Sequence, residues 1–326
     1  MNLNLYDADL NRIAIIGEQY ISCLWSEGYN TIENFTLELV ETDEYKKKVS
    51  VDFYVGRSDR NTLMVIKTVQ ISGGKIVASG KQATRVLDDV PFVGTISGGS
   101  DIDTAVIDAY NNSDKYRNVE FSSTSLGIKY NHQISNKSFS ELCKIMAQSE
   151  NVGFRAIRKN GTVSIEFYQP AENKNLVFSE TFGNLTVEDV SISSENYKNY
   201  AVVLGAGEGD NRTRVFVDLT NGDERRSLIV DAKDLQLEDG ETIDSYKERL
   251  AARGIENLLE RTKTFSCAFT PYASDFGEKY DLGDILTVYL TNYGITLKAR
   301  VAKFTQKSQN NKTETSIQVG QITIKR

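Results

Sequence analysis

The most constraining stretch of this chain lies near its C-terminus. Tyr280-Asp281-Leu282-Gly283-Asp284 runs directly into Ile285-Leu286-Thr287-Val288-Tyr289-Leu290, and Asn292-Tyr293-Gly294 follows as a turn. Beyond it Ile295, Leu297, Ala299 and Val301 alternate with Thr296, Lys298, Arg300 and Ala302. A period of two across a glycine-containing turn specifies an antiparallel hairpin with one buried face. Asn310-Asn311 turns the chain again into a third strand through Ile317 and Val319. Such a meander cannot bury its apolar face alone. It requires a second sheet or another copy of the chain.

With 326 residues there is enough chain for two or three cored domains. Apolar residues at 40% and charged residues at 25% make it globular. A net charge of −7 argues against a surface built to grip nucleic acid, although DNA could still pass without sticking. Cys23, Cys143 and Cys267 are far apart and form no CxxC pair, so neither a disulfide framework nor a zinc site is signalled. Buried reduced thiols are expected instead. No apolar run reaches the ~20 residues that span a membrane, and the N-terminus lacks a signal peptide's basic region and apolar core. Folding in a cytoplasm, without stable membrane insertion, is the expectation.

Taken in order, residues 1–96 are β. Tyr20 to Trp25 forms a strand, and Phe35, Leu37 and Leu39 alternate with polar residues, as do Val49, Val51, Phe53 and Val55. Val65 to Ile71 and Lys75 to Ser79 flank Ser72-Gly73-Gly74, a hairpin turn. These strands suggest a small barrel or sandwich ending near Phe92. Residues 97–190 are α+β. Ser100 caps a helix bearing Ile102, Ala105, Val106, Ala109 and Tyr110, and Ser138-Phe139-Ser140-Glu141 is a capping box for a second. Gly153 then opens a hairpin that turns at Asn160-Gly161. Residues 191–326 return to β, around a helical insertion at 241–263 that starts at Thr242 and carries Ile243, Tyr246, Leu250, Gly254 and Leu258 on one face. From Thr264 to Pro271 the chain is β again.

The candidate chemical motifs each have a plainer structural reading. Asp7, Asp9, Asn11 and Glu18 have calcium-loop spacing, but Arg12 stands where glycine is required and no helix can precede Asp7. Gly205, Gly207 and Gly209 resemble a dinucleotide fingerprint with its third glycine one place early. A strand follows them, rather than the helix whose N-terminus would meet a pyrophosphate. His132, the sole histidine, has no nucleophile-elbow neighbour and cannot build a usual catalytic zinc site. The pairs Asp101/Asp103, Asp88/Asp89 and Glu188/Asp189 could serve a glycosidase, but such pairs at helix starts are ordinarily dipole partners or solvated. No catalytic, cofactor-binding or metal-binding residue is assigned.

Several stretches together resemble one family, the tail-hub or baseplate-hub proteins of tailed bacteriophages, including the N-terminal region of siphophage tail-tip proteins. The likeness rests on Asp7 to Glu18 leading to Trp25, on Asn34-Phe35-Thr36-Leu37-Glu38-Leu39, and on Phe139 to Phe154. It continues with Gly205-Ala206-Gly207-Glu208-Gly209 and Arg212, the long helix before Thr264, Tyr280-Asp281-Leu282-Gly283-Asp284, and Arg300. The resemblance implies a mainly β fold with α+β insertions: two small β-barrel domains per chain plus helix–hairpin elements. It implies a homotrimeric ring whose six barrels sit on a hexameric tail. The motif residues carry a structural role in that likeness.

The function so implied is a non-enzymatic hub in the virion tail, assembled in the bacterial host cytoplasm. It would join the tail tube or distal tail ring to a central spike or fibre, with the tape-measure protein as a further neighbour and DNA only in passage. Because the sequence ends at Arg326, host recognition and wall cleavage are expected on separate polypeptides. A receptor- or carbohydrate-binding tail component is the alternative, and a peptidoglycan hydrolase using an acid pair is a further one.

Overall fold

The computed structural model describes residues 1–269, 275–310 and 312–324. The chain groups into two compact units, residues 1–188 with 268–326 and residues 189–267.

The first unit begins with β1 (Leu3–Tyr6), β2 (Arg12–Gly17), β3 (Ser22–Gly28) and β4 (Asn34–Val40), a short helix α1 (Asp43–Lys48), then β5 (Tyr54–Arg57), β6 (Leu63–Ser72) and β7 (Lys75–Gln82). Gly73 and Gly74 both take positive φ, at 60° and 75°, which gives the β6–β7 turn the twist a tight hairpin needs. The alternation of Val49, Val51 and Phe53 does not become a strand. The Thr42 hydroxyl accepts the Tyr45 N–H at 3.1 Å, nucleating α1, and Asp52 at φ 61° turns the chain before β5. Local capping overrides a weak period-two pattern here.

Next come β8 (Pro91–Ile96), α2 (Ile102–Asn111), β9 (Val119–Phe121), β10 (Ile134–Ser138), α3 (Phe139–Ser149), β11 (Gly153–Lys159), β12 (Thr162–Tyr168) and β13 (Glu172–Ser179). The capping box forms as its sequence dictates, the Ser138 hydroxyl accepting the Glu141 N–H at 3.2 Å. Asp101, rather than Ser100, precedes the first turn of α2. Phe139 anchors the core beneath these helices, with its ring 5.1 Å from Tyr110 and 5.7 Å from Phe92. Both contacts are edge-on, the favoured aromatic geometry.

The chain passes between the units along β14 (Val187–Ser193) and later β18 (Thr264–Phe269). The second unit holds β15 (Tyr200–Leu204), β16 (Arg214–Asp218), β17 (Ser227–Asp231) and α4 (Ile243–Leu259). Its sheet runs β16-β15-β17, and α4 covers one face with Tyr246, Leu250 and Leu258 over Ala201, Val203, Val217 and Val230.

The opening hairpin is present as β19 (Ile285–Leu290), β20 (Ile295–Gln309) and β21 (Lys312–Ile324). Pro271, Asn311 and Arg326 lie outside the described residues. What the hairpin packs against answers the question its sequence raised. β20 pairs antiparallel with β3, from Ser22 opposite Gln309 to Gly28 opposite Lys303. The sheet therefore runs β21-β20-β3-β4-β7-β6-β5-β1-β2, with β19 and then β13 branching from β20. Residues 1–96 and the C-terminal strands are one hydrogen-bonded system rather than two separate ones. Among the described residues no sheet closes into a barrel, because the open edge of β3 is taken by β20 instead of by a neighbour within 1–96. The mainly β character with α+β insertions is as expected.

Cys23 and Cys143 are buried free thiols, and burial pushes Cys23 up to about 12. Among the described residues no helix is long and apolar enough to cross a membrane.

Gly254 sets how closely α4 approaches its sheet. A Cβ there would stand 2.7 Å from Val203 Cγ2 and 2.8 Å from Val217 Cγ2. Alanine would gain about 1 kcal/mol of helix propensity, but overpacking of this kind loses about 1–3 kcal/mol. Gly254→Ala is therefore expected to be destabilising on the order of 1 kcal/mol, read as a lower urea midpoint at unchanged slope. A gain in stability would mean that α4 is not held this tightly.

Candidate functional site

Trp25, Tyr280–Asp284 and Arg300 are far apart in sequence but meet around the turn that feeds β19. Trp25 and Glu27 share strand parity, so both point into the interior of the β3 face, at 0% and 1% exposure. A carboxylate so deeply buried requires partners. Glu27 accepts hydrogen bonds from Trp25 Nε1 at 2.7 Å and Thr62 Oγ1 at 2.8 Å, and from Arg60 Nη2 at 3.2 Å. The same Arg60 nitrogen donates to Asp281 Oδ1 at 3.0 Å. Opposite charges on both sides push the Arg60 guanidinium up, against the opposing effect of burial. Arg60 also lies 4.8 Å from the Phe276 ring, which stacks on Phe304 at 4.3 Å.

The turn itself is built from the five motif residues. Asp284 accepts the Ala171 N–H at 2.7 Å and the Asp281 N–H at 2.9 Å. Asp281 Oδ1 also takes the Leu282 N–H at 2.8 Å. Tyr168 donates its hydroxyl to the Leu282 carbonyl at 3.1 Å, and burial pushes that phenol up. Gly283 sits at φ +88°, where an added Cβ would lie 2.5 Å from the Tyr29 ring. Only glycine meets both conditions. Tyr280 is buried with its ring edge-on to Phe178 at 5.4 Å.

Arg300 closes the assembly from β20. It donates to the Gly283 carbonyl and to Asn151 Oδ1, each at 2.6 Å, and lies 5.1 Å from the Tyr29 ring. Asn151 is the left-handed residue, φ 57°, after α3. Asn30 finishes the junction, donating to the Val152 carbonyl at 2.8 Å and accepting the Phe154 N–H at 3.1 Å. A cavity of about 450 Å³ opens beside this network. Its three arginines are already held by carboxylates: Arg57 by Asp59, Arg60 as above, and Arg155 by Glu166. The arrangement ties the N-terminal strands, the end of α3 and the C-terminal hairpin together.

Gly205, Gly207, Gly209 and Arg212 are not part of it; they lie in the second unit. Arg212 donates to the Gly205 carbonyl at 2.7 Å, the Leu204 carbonyl at 2.6 Å and Asp231 at 2.5 Å. The Tyr246 hydroxyl accepts the Ala206 N–H at 2.9 Å and would meet a Gly205 Cβ at 2.4 Å. Gly205 thus serves a close approach between loop and α4, whereas Gly207 and Gly209 take positive φ, at 111° and 53°, within the loop itself.

Several of the other acids are likewise engaged, although Asp101 is exposed and makes no side-chain capping bond to α2. Asp7 takes the N–H groups of Asp9 and Asn11 at 2.9 Å, and Asp9 pairs with Arg117 and Asn118. Buried Asp103 accepts the N–H groups of Thr124 and Ser125 at 2.8 and 3.0 Å. Asp88 and Asp89 flank Arg85 at 3.2 and 3.1 Å. The side chains of Glu188 and Asp189 lie outside those described. His132 is exposed, 3.9 Å from Glu150. Among the described residues no group of three or more His, Cys, Asp or Glu is placed to hold a metal ion. The residues absent from the sequence reading are Glu27, Arg60, Tyr29, Asn30 and Asn151. The one readable sign was Glu27 itself, a charge two residues after Trp25 on the same strand face.

The whole chain follows the backbone of phage tail proteins. It matches the 43 kDa tail protein of prophage MuSo2 from Shewanella oneidensis with a TM-score of 0.64 and 11% identity, over 98% of each chain. Prophage tail protein gp18 from Listeria monocytogenes gives 0.61 at 10% identity, over 98% of this chain and 94% of that one. The tail protein of Neisseria meningitidis MC58 gives 0.59 at 8%, over 98% and 96%. The fold is that of a phage tail protein. The model of the siphovirus ReqiPepy6 Gp37-like protein family matches residues 109–321, well over half of the chain, and the chain belongs to that family. No curated protein matches the sequence.

Arg60→Ala leaves the Glu27 carboxylate buried without its cation, a change that costs about 3–5 kcal/mol. Adding Glu27→Gln to it should recover a large part of the loss, since the uncompensated charge is then gone. Chemical denaturation of wild type, each single variant and the double variant measures the coupling. Purely additive losses would show that the pair is not coupled.

Proposed function

We propose that this protein is the structural hub of a phage tail tip or baseplate, three copies forming a ring that joins the tail tube or distal tail ring to a central spike or fibre. The observation that carries this reading is the end-to-end match to tail proteins: 98% of the chain is accounted for by a fold those proteins share. The whole polypeptide, not one grafted module, is built as a tail component. Its motif residues are engaged in holding strands together, which suits a load-bearing role. Strands from both ends of the chain share one sheet in each protomer, and its faces and edges would be the surfaces through which three copies close a ring. The tape-measure protein is a further neighbour, and DNA passes through the ring. The net charge of −7 favours passage over retention.

Light scattering of the purified protein, alone and mixed with its tail-tube or distal-tail neighbour, is expected to give trimers in at least the mixture. A strictly monomeric species in both would overturn the hub reading. Cleavage of peptidoglycan by the purified chain would do so from the other direction.

A further inference from the structure

The cleft between β8 and α2 plays no part in the network described above. Among the described residues β8 pairs along one edge only, in a sheet of β10 and β8. The Phe139 N–H donates to the Val90 carbonyl, and Phe92 lies opposite Lys137 on β10. The register against β10 shifts between Phe92 and Thr95, but the Gly94 N–H still reaches Asn136 Oδ1 on β10, so the main-chain groups of Val93, between Phe92 and Gly94, face the other way. Among the described residues no strand pairs with that outer edge. The Val93 side chain is 85% exposed, the highest value among the large apolar residues described.

Every residue of β8 lines a cleft of about 710 Å³ whose opposite wall is α2 and the turn after it. Ala105, Asp108, Ala109 and Asn112 recur at helical spacing along that wall. The short side chains of Ala105 and Ala109 leave room beside the strand. Asp108 and Asp114 supply its charge, and no Lys or Arg is among the residues lining it. Pro91, lacking an N–H, marks where pairing with an added strand has to begin.

We propose that this cleft binds an extended, basic peptide segment of another protein, which adds to the free edge of β8 as a further strand. Main-chain hydrogen bonds to Val93 would hold it, as in other cases of strand addition beside a helix. An apolar side chain opposite Val93 would cover that residue, and Lys or Arg would reach Asp108 and Asp114. Charge selects this occupant, since a wall that carries Asp108 and Asp114 and no Lys or Arg favours a basic segment. The inference goes beyond the hub reading and does not depend on it.

The test is fluorescence anisotropy of the full chain with a short labelled peptide alternating Lys and Val, beside a counterpart alternating Glu and Val. The basic peptide is expected to bind at least about tenfold more tightly, with an advantage that shrinks in high salt. Val93→Pro removes the outward N–H and should weaken binding about tenfold, whereas Val93→Thr keeps that N–H and should stay within about twofold. Circular dichroism checks that both variants are folded. Peptides N-methylated on alternate residues probe the same edge in the intact protein: one methylation pattern should abolish binding and the other should not. Absence of binding, equal effects of both patterns, or equal affinity for the Glu peptide would each overturn the proposal. So would a wild-type oligomer that Val93→Pro dissociates, which would assign the cleft to a second copy.

Discussion

One buried carboxylate governs how the ends of this chain come together. Glu27 is 1% exposed, and burying its carboxylate there is compensated by Arg60 and the Trp25 and Thr62 donors. Arg60 in turn reaches Asp281, more than two hundred residues further on. A buried ion pair of this kind adds little net stability, because desolvation offsets most of the attraction. What it adds is specificity. A slip of β20 against β3 by one residue would turn every side chain to the opposite face, and a displaced turn at Asp281 would leave Arg60 short of a partner.

The turn from Tyr280 to Asp284 therefore acts at two levels. Locally, Asp284 and Gly283 fix the backbone as it enters β19, the first by accepting two N–H groups and the second by taking a φ that clashes with any side chain against Tyr29. At longer range, Arg300 carries that geometry to the end of α3 through Asn151. Each contact joins elements that the hydrophobic pattern alone would have left free to slide.

Much of this was legible in the residues. Period-two alternation located β4, β12, β19 and β20, the Ser72-Gly73-Gly74 turn located β6 and β7, and the caps at Ser138 and Thr242 located α3 and α4, because all these signals are local. The motif residues at the C-terminal turn were legible as a group, though not their partners. Glu27 and Arg60 escaped notice for a physical reason: a charge on the Trp25 face of β3 signals that a partner is needed, but which residue supplies it depends on what lies across the sheet. Closure failed in the same way. Alternation fixes which face of a strand is apolar but not which neighbour its edge will choose, so the pairing of β3 with β20 was invisible. The strand expected from Val49 to Val55 begins only at Tyr54, because the Val49 N–H is spent on the Tyr45 carbonyl at the end of α1 and Asp52 turns the chain at φ 61°.

The same division between pattern and anchor accounts for how loosely sequence is tied to this fold. Identities of 8% to 11% accompany a shared backbone over 98% of the chain. Binary alternation tolerates exchange among apolar residues of similar volume, since total packing matters more than identity. Anchors do not tolerate it: a glycine at positive φ against a ring, or a buried acid with one cation, has no substitute of the same shape and charge. A fold specified by many exchangeable positions and a few fixed ones can drift far in sequence while keeping its strand order. Its outward edges and clefts, which bear no such anchors, are then the places where chains of this architecture are free to differ in what they hold.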